Sequence, residues 1–378
     1  MVSDSSMEKK IKLTYVVSGV DYSLGFLWIA KEIDRTKYDF EFIFLAKSPP
    51  SLYKQFKSDG IKTRYIQCRS KADYIPALLK FLFIFIKNRP QIIHAQLIEA
   101  GLLSLPIAWI LRIKKRIYTR HHASYNSEYY PHMVKYDKLI NSLSTHLVAI
   151  SNNVAEVLNK SEGVAKEKIT TIPHGFMMDS FISPDPKKID LLKQKYNPSN
   201  KGPVIGVISR FIELKGLQYI IPAFRDFLKT NPSAYLVMAN ASGNYQQEID
   251  GLLSTLPTDS NIKIGFEKDL FSLYGVFDYF IHVPINHTVE AYGQVYVEAL
   301  AAGIPSIFTL SGIARDFIEN EKNAIVVPFK NSPEIFSALE KLNSNESLKN
   351  KLIETGRKDV VKLFSFEKSL EQLNQLYV

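Results

Sequence analysis

Two glutamates, Glu290 and Glu298, stand eight positions apart in the stretch EAYGQVYVEALAAGIP. A helix is predicted over about 293–302 because Gly303 would stop it, so Glu290 is expected on the preceding loop and Glu298 inside the helix. Both carboxylates could face a ligand-binding cleft at the end of the strand. The spacing alone would favour a solvated helix face.

A second stretch, SRFIELKG at 209–216, places Arg210 and Lys215 in a loop that follows a predicted strand. An arginine fork and a mobile lysine ammonium could together neutralise a diphosphate. The alternative is two exposed cations that pair with Glu213. Further on, Ser311 and Gly312 lie between a predicted strand and a predicted helix. Free backbone N–H groups at the start of that helix could bind an anion. The alternative is that the two residues only form the turn between the strand and the helix.

Several familiar motifs are absent from the sequence. It has no GxGxxG and no GxxxxGK[ST], which argues against dinucleotide-dependent oxidoreductases and P-loop enzymes. It also has no HExxH, CxxC or DxD, so no metal site and no cofactor are expected. The one cysteine, Cys68, excludes an intramolecular disulfide and is compatible with a reducing compartment.

Short apolar runs alternate with helical stretches along the whole chain, the pattern of strands that are covered on both faces of a parallel sheet. We predict an α/β fold with two doubly wound, Rossmann-like domains that face each other across a cleft. The predicted bounds are a first domain over 1–180, a linker over the proline-rich 181–200, and a second domain over 201–364. The predicted strands begin at Ile11, Phe40, Thr63, Gln91, Arg116, His146 and Ile169 in the first domain, and at Val204, Ala234, Ile262, Tyr279, Pro305 and Ala324 in the second.

In this order, the motifs resemble those of the retaining GT-B glycosyltransferases of family 4, also called glycosyl transferases group 1. The resemblance covers nearly the whole chain, and its second-domain motifs are the more specific. It rests on Arg210, Lys215-Gly216, the Glu290/Glu298 pair with ALAAGIP, TRHH at 119–122, IPHG at 172–175 and the closing FSFEKSLEQLNQLY.

The resemblance implies a role for each charged residue. Arg210 and Lys215 would neutralise the diphosphate of a nucleotide-sugar donor, Glu298 would hold the ribose hydroxyls, and Glu290 would hold hydroxyls of the transferred sugar. His121 would contact the donor sugar at the reaction centre, with the adjacent His122 as the second choice. Preorganised cations and amides can stabilise the leaving diphosphate without a metal.

The resemblance also implies that three glycines, Gly19, Gly293 and Gly312, line the donor site. Gly19 stands alone where relatives often carry two glycines, and Arg315 stands where many have a glutamate. The predicted strand at 236–240 leads to Ala241-Ser242-Gly243 in place of the usual glycine pair, so the identity of the nucleotide base is left open. In this family a C-terminal helix packs back on the first domain, and the resemblance implies the same for residues 365–378 here. The alternative is that this helix packs on the second domain.

Charge is distributed unequally between the two halves of the chain. Residues 1–185 hold 26 Lys and Arg against 17 Asp and Glu, while the remainder holds 21 of each. Two apolar segments of this basic half, 77–89 and 101–116, end in basic residues, which suits either an anionic membrane surface or helices buried on a sheet. Nucleic acid is disfavoured as a partner because no recognition motif accompanies the charge.

The prediction from sequence is therefore a retaining, metal-independent glycosyltransferase. It would move a sugar from a UDP- or GDP-linked donor to a lipid-linked or polysaccharide acceptor, as in cell-surface glycan biosynthesis. The polar first twelve residues predict a cytoplasmic protein. The two apolar segments with basic ends would make it peripheral on the inner face of the plasma membrane. The alternatives are a sugar-nucleotide 2-epimerase of the same fold and a non-catalytic glycan-assembly subunit.

Overall fold

The structure, a computed structural model, describes residues 10–378. Contacts divide the chain into two compact units: one contains the residues up to Pro173 together with Ser369–Val378, and the other is His174–Lys368. Each unit is built on one parallel β-sheet with helices between its strands. This is the doubly wound α/β architecture that the alternation of apolar runs and helical stretches predicts.

The first unit has a sheet of seven strands, and each apolar run predicted there contains one of them. The elements are β1 Ile11–Ser18, α1 Leu24–Glu32, β2 Tyr38–Ala46, α2 Ser51–Ser58, β3 Thr63–Gln67, α3 Tyr74–Asn88, β4 Ile92–Gln96, α4 Ile98–Ile110, β5 Lys115–Arg120, α5 Tyr125–Tyr129, α6 Val134–Leu143, β6 His146–Ala149, α7 Asn152–Glu156 and β7 Ile169–Thr171. The strand order is β3-β2-β1-β4-β5-β6-β7, with every neighbouring pair parallel. The winding therefore reverses between β1 and β4.

The second unit repeats this order with six strands. Its elements are α8 Asp179–Ile182, α9 Pro186–Tyr196, β8 Val204–Ile208, α10 Leu217–Thr230, β9 Tyr235–Ala239, α11 Gln246–Leu253, β10 Asn261–Ile264, α12 Leu270–Tyr274, β11 Tyr279–His282, α13 Gln294–Ala302, β12 Ser306–Phe308, α14 Ala314–Phe317, β13 Ile325–Val326, α15 Ser332–Ser344, α16 Glu346–Phe364 and the start of α17 Phe366–Tyr377. The parallel sheet runs β10-β9-β8-β11-β12-β13. Its reversal point lies between β8 and β11.

The structure places the boundary between the units earlier than the sequence predicts. The second unit begins at His174 and not after 180, and the predicted linker 181–200 is part of it. Within that segment α9 buries Leu192 and Tyr196, and the Tyr196 hydroxyl donates to Glu267 at 2.6 Å. Prolines and lysines give this segment a linker-like composition, but the two side chains that α9 buries suffice to anchor the helix.

Helix α17 crosses from the second unit to the first at Ser369. Leu373 and Tyr377 are buried in the apolar core of the first unit. The Tyr377 hydroxyl bonds to the Tyr15 hydroxyl and lies 2.8 Å from Nδ1 of His94, whose pKa is lowered by burial to about 3. Neutral His94 can therefore share this buried polar cluster without the cost of a buried charge.

No helix within residues 10–378 combines the length and the apolar character that a membrane span requires.

Candidate active site

The candidate site of the second unit lies at the carboxyl ends of β8 and β11, where the winding of the sheet reverses. Ligands of open α/β sheets bind at such reversal points. The loop after β8 ends at Gly216, whose φ of 77° and contact with the Val283 carbonyl oxygen leave no room for a side chain. The Ile285 amide donates to the Leu214 carbonyl at 3.1 Å, so the loops after β8 and β11 are held together.

Glu290 is the point at which three loops meet. Its carboxylate bonds to the Lys215 ammonium, from the loop after β8, and lies 3.2 Å from Nε2 of His282, the last residue of β11. Its amide donates to the Ser311 hydroxyl at 3.2 Å, which joins the loop after β12. A side chain at Gly312 would come within 2.8 Å of the Glu290 Cβ, so glycine is required for this approach.

The charge of Glu290 is fixed by these neighbours. Burial alone would raise the pKa of Glu290, but the Lys215 ammonium and the His282 hydrogen bond outweigh it and hold the pKa well below its usual range. Burial lowers the pKa of His282, which is therefore neutral near pH 7. We assign the His282 proton to Nε2, because the buried Nδ1 has no hydrogen-bond partner among the described residues. The result is an ionised carboxylate beside one cation and one neutral imidazole.

Glu298 lies in α13, as the sequence predicts, in a different electrostatic environment. The helix begins after Gly293, which has a φ of 81°, and ends at Gly303. The Glu298 carboxylate is buried and accepts a hydrogen bond of 2.8 Å from the Tyr274 hydroxyl. Burial raises the pKa of Glu298 to about 7 despite that bond. This carboxyl group can therefore change protonation state near neutral pH.

We expect the Glu298→Gln variant to be more stable than the parent protein at alkaline pH. The pKa of about 7 in the folded chain lies above the ordinary 4.5, so ionisation of Glu298 destabilises the fold increasingly as pH rises between these values. Calorimetric unfolding should show a gain of about 1–3 kcal/mol at about pH 8 and almost none at about pH 4.5. Equal effects at both pH values would contradict the assignment. The exposed Glu354→Gln change is the matched control.

Arg210 is exposed at the start of the loop after β8. Within residues 10–378 its guanidinium makes no ion pair, and only its backbone carbonyl is engaged, by the Ile212 amide and the Ser209 hydroxyl. The guanidinium is therefore free to bind an anion. The structure brings Lys215, Glu290 and Gly312 into one cluster. It places Glu298 in α13, Gly293 just before that helix, and Arg210 at the surface.

The first-unit candidates lie at the carboxyl edge of the other sheet. His121 follows β5, and its Nε2 lies 2.7 Å from the amide oxygen of Gln96, the last residue of β4. Gly19 follows β1 with a φ of 64°, and its amide donates to the Leu45 carbonyl at 3.0 Å. His121 and Gly19 thus lie at the ends of strands that border or adjoin the reversal point.

His122 belongs to a buried polar network. It lies 3.1 Å from Asp137 and 3.0 Å from the Asn126 amide nitrogen. Asp137 also forms an ion pair of 3.1 Å with Arg120, whose guanidinium bonds to Glu162 as well. This network fixes the loop that carries both histidines.

Sequence reasoning missed three partners of the candidate residues: Gln96, His282 and Tyr274. Gln96 ends β4 and His282 ends β11, and this position at the ligand-binding edge is the signal that could have identified them. Tyr274 lies in helix α12, and the sequence around it contains no pattern that would mark it as a partner of Glu298.

Two protein-family models match this chain. Residues 29–179 match the family model for Glycosyltransferase Family 4, and residues 188–359 match the model for Glycosyl transferases group 1. The capsular polysaccharide biosynthesis glycosyltransferase CapM of Staphylococcus aureus is 27% identical over 311 residues, which cover 80% of each chain.

Solved structures share the fold. Anabaena HepE, in a crystal structure with UDP-glucose, superposes with a TM-score of 0.83 at 16% identity, covering 97% of this chain and 99% of the other. A glycosyltransferase from Rickettsia africae gives a TM-score of 0.80 at 22% identity, with 97% and 98% covered. The two family matches and this fold support a glycosyltransferase of the GT-B class and the family 4 type.

Proposed function

We propose that this protein is a retaining, metal-independent glycosyltransferase. It transfers a sugar from a UDP- or GDP-linked donor to a lipid-linked or polysaccharide acceptor, in the cytoplasm at the inner face of the plasma membrane. The observation that carries the proposal is the meeting of Lys215 and Glu290 at the reversal point of the second sheet. The likeness to CapM, which is named for capsular polysaccharide biosynthesis, supports the choice of acceptor, and the UDP-glucose complex of HepE supports the choice of donor.

The donor diphosphate would be bound by two cations of different character. The Lys215 ammonium has three N–H donors, so it can contact Glu290 and a phosphate oxygen at once. The exposed Arg210 guanidinium would add a planar fork. As the bond between the sugar carbon and the phosphate oxygen breaks, negative charge grows on the diphosphate, and fixed positive charges at that place lower the barrier.

The carboxylates would bind hydroxyl groups. Ionised Glu290 would accept from hydroxyls of the transferred sugar, and Glu298 would accept from the ribose. Gly293 and Gly312 would let backbone amides approach the donor in the second unit, and Gly19 would do so in the first. His121 would contact the donor sugar.

Retention of configuration would follow from attack on the face that the diphosphate leaves. The acceptor oxygen forms the new bond to the sugar carbon, and its proton passes to the departing phosphate oxygen. No covalent sugar–enzyme intermediate is needed, so one carboxylate near the sugar suffices.

The test is to supply UDP- and GDP-linked sugars with a lipid-linked sugar acceptor, in the presence of EDTA, and to follow release of the nucleoside diphosphate. We expect acceptor-dependent release, and a product whose anomeric configuration by NMR matches that of the donor. Conversion of the sugar nucleotide without acceptor would instead identify a 2-epimerase. Inverted configuration would contradict the retaining mechanism, and loss of activity with EDTA would contradict metal independence.

A further inference from the structure

Helix α3 of the first unit exposes a row of large apolar side chains. Ile75, Leu79, Phe83 and Ile86, which we call the apolar stripe, are each between 55% and 71% exposed. Their spacing of three or four residues places them on one side of the helix. Contiguous apolar surface of this kind marks a site of interaction with another molecule or with a membrane.

The exposure of the stripe does not mean that α3 turns its only apolar side to solvent. The other side of α3 buries Ala77, Phe81 and Phe85 against the unit. The helix is therefore apolar on both sides, and residues 10–378 cover only one of them. A surface helix normally places polar residues on its outer side.

The end of the neighbouring helix extends the apolar surface. The Tyr74 hydroxyl donates to the Glu99 carboxylate at 3.1 Å, which aligns the first turns of α3 and α4. Both helices cross between parallel strands, so they run in the same direction. Their last turns therefore lie side by side. There, Trp109 and Ile110 of α4 are 57% and 59% exposed.

Positive charge surrounds this surface. Between Tyr74 and Ser127 the sequence has eight Lys and Arg, of which five are exposed, and one acidic residue, Glu99, which is engaged by Tyr74. Lys80 and Lys87 are exposed along one side of the stripe. Arg89, Arg112 and Lys114 are exposed near the helix ends. In the described part of the chain none of these five cations forms an ion pair.

We propose that the apolar stripe, with Trp109 and Ile110, docks on an anionic lipid bilayer. Helix α3 would lie in the plane of the interface, its stripe among the acyl chains and its lysines at the headgroups. Charge complementarity decides for lipid over a second copy of this chain, because a symmetric interface would bring the same cations together from both sides. This proposal rests on the proposed function in one respect. Docking on a bilayer would bring the enzyme to the membrane in which a lipid-linked acceptor lies.

The test is flotation of the full chain with vesicles of phosphatidylcholine alone or mixed with phosphatidylglycerol. We expect binding to the mixed vesicles at low salt and weak binding to phosphatidylcholine. The Lys80→Gln/Lys87→Gln variant should bind about thirtyfold more weakly. The Leu79→Gln/Phe83→Gln variant should bind about a hundredfold more weakly, since two large apolar groups no longer enter the bilayer.

Matched controls exist on the second unit. Lys187→Gln/Lys193→Gln makes the same change of charge on exposed α9, and Leu191→Gln/Phe266→Gln removes two equally exposed apolar side chains. Neither should alter binding. No binding of the parent chain to mixed vesicles, or a self-association that the Leu79→Gln/Phe83→Gln variant abolishes, would overturn the proposal.

Flotation is measured without donor or acceptor, and UDP binding by each variant is measured separately. Failure of the docking surface is therefore distinguishable from failure of the proposed function. Vesicle binding with no transfer to any acceptor would support the docking surface and count against the transferase activity. Transfer to a water-soluble acceptor without vesicle binding would support the transferase activity and count against the docking surface.

Discussion

Replacement of Lys215 by Ala is expected to lower kcat/KM for sugar transfer about a thousandfold. The Lys215 ammonium is held at the carboxyl end of β8 by its bond to Glu290, so it is fixed in place before the diphosphate develops negative charge. Fixed charges of this kind need no rearrangement during the reaction, which is why their removal is costly. The measurement is the initial rate of nucleoside diphosphate release at several donor concentrations.

The control for this change is Lys229→Ala, which removes an exposed lysine of the same unit that pairs with Asp226. It should leave kcat/KM unaltered. Lys215→Ala also removes the cation beside the buried Glu290 carboxylate, so part of the effect could come from a displaced carboxylate. The Lys215→Ala/Glu290→Gln double variant removes that carboxylate charge. An unaltered kcat/KM in Lys215→Ala would contradict the role assigned to the ammonium.

Replacement of Asp137 by Ala is expected to lower the free energy of unfolding of the first unit by about 3–5 kcal/mol. Asp137 and Arg120 are both buried, and loss of the carboxylate would leave the guanidinium with Glu162 as its one acidic partner in the described chain. Burial alone would raise the pKa of Asp137, yet the hydrogen bond from His122 and the charge of Arg120 lower it. The carboxylate is therefore charged throughout the neutral range.

Differential scanning calorimetry is the appropriate measurement, because two units need not unfold in a single transition. The matched control is Glu156→Ala, which breaks an exposed pair with Lys160 at 3.7 Å and should cost less than about 1 kcal/mol. If the two variants unfolded at the same temperature, the buried network would not be the stabilising feature described above.

The fold was predictable because each strand is a local signal. The runs that begin at Ile11 and Val204, for example, are apolar enough to be covered on both faces, and both are central strands. Helix α13 was predictable from its end at Gly303. The loops after these strands follow from topology, which is why Lys215 and Glu290 could be placed at one edge of a sheet before the structure was known.

The partners of the site residues were not predictable in the same way. The distance from His282 to Glu290, or from Tyr274 to Glu298, depends on how loops and helices pack across the sheet, and no local pattern encodes it. The electrostatic difference between the two glutamates has the same origin. Burial raises the pKa of both carboxyl groups, but only Glu290 has an ammonium beside it, so the pKa of Glu290 falls below its usual range while that of Glu298 rises.

The exposure of α3 is a further property that sequence leaves open. The apolar segment 77–89 suits a helix covered by the sheet as well as a helix at a membrane. The packing of α3 decides which side chains remain outside, and it leaves Leu79 and Phe83 in solvent while burying Phe81 and Phe85. Periodicity indicates that two apolar sides exist, and tertiary structure shows that one is uncovered.

The most direct test of the account is calorimetric titration of the full chain with UDP, GDP and ADP, with Lys215→Ala and Glu298→Ala measured alongside. We expect UDP or GDP to bind at one site and both variants to bind it more weakly, because the diphosphate and the ribose each lose a partner. If none of the three nucleotides binds, or if the variants bind as tightly as the parent chain, then the reversal point of the second sheet is not a nucleotide-sugar site.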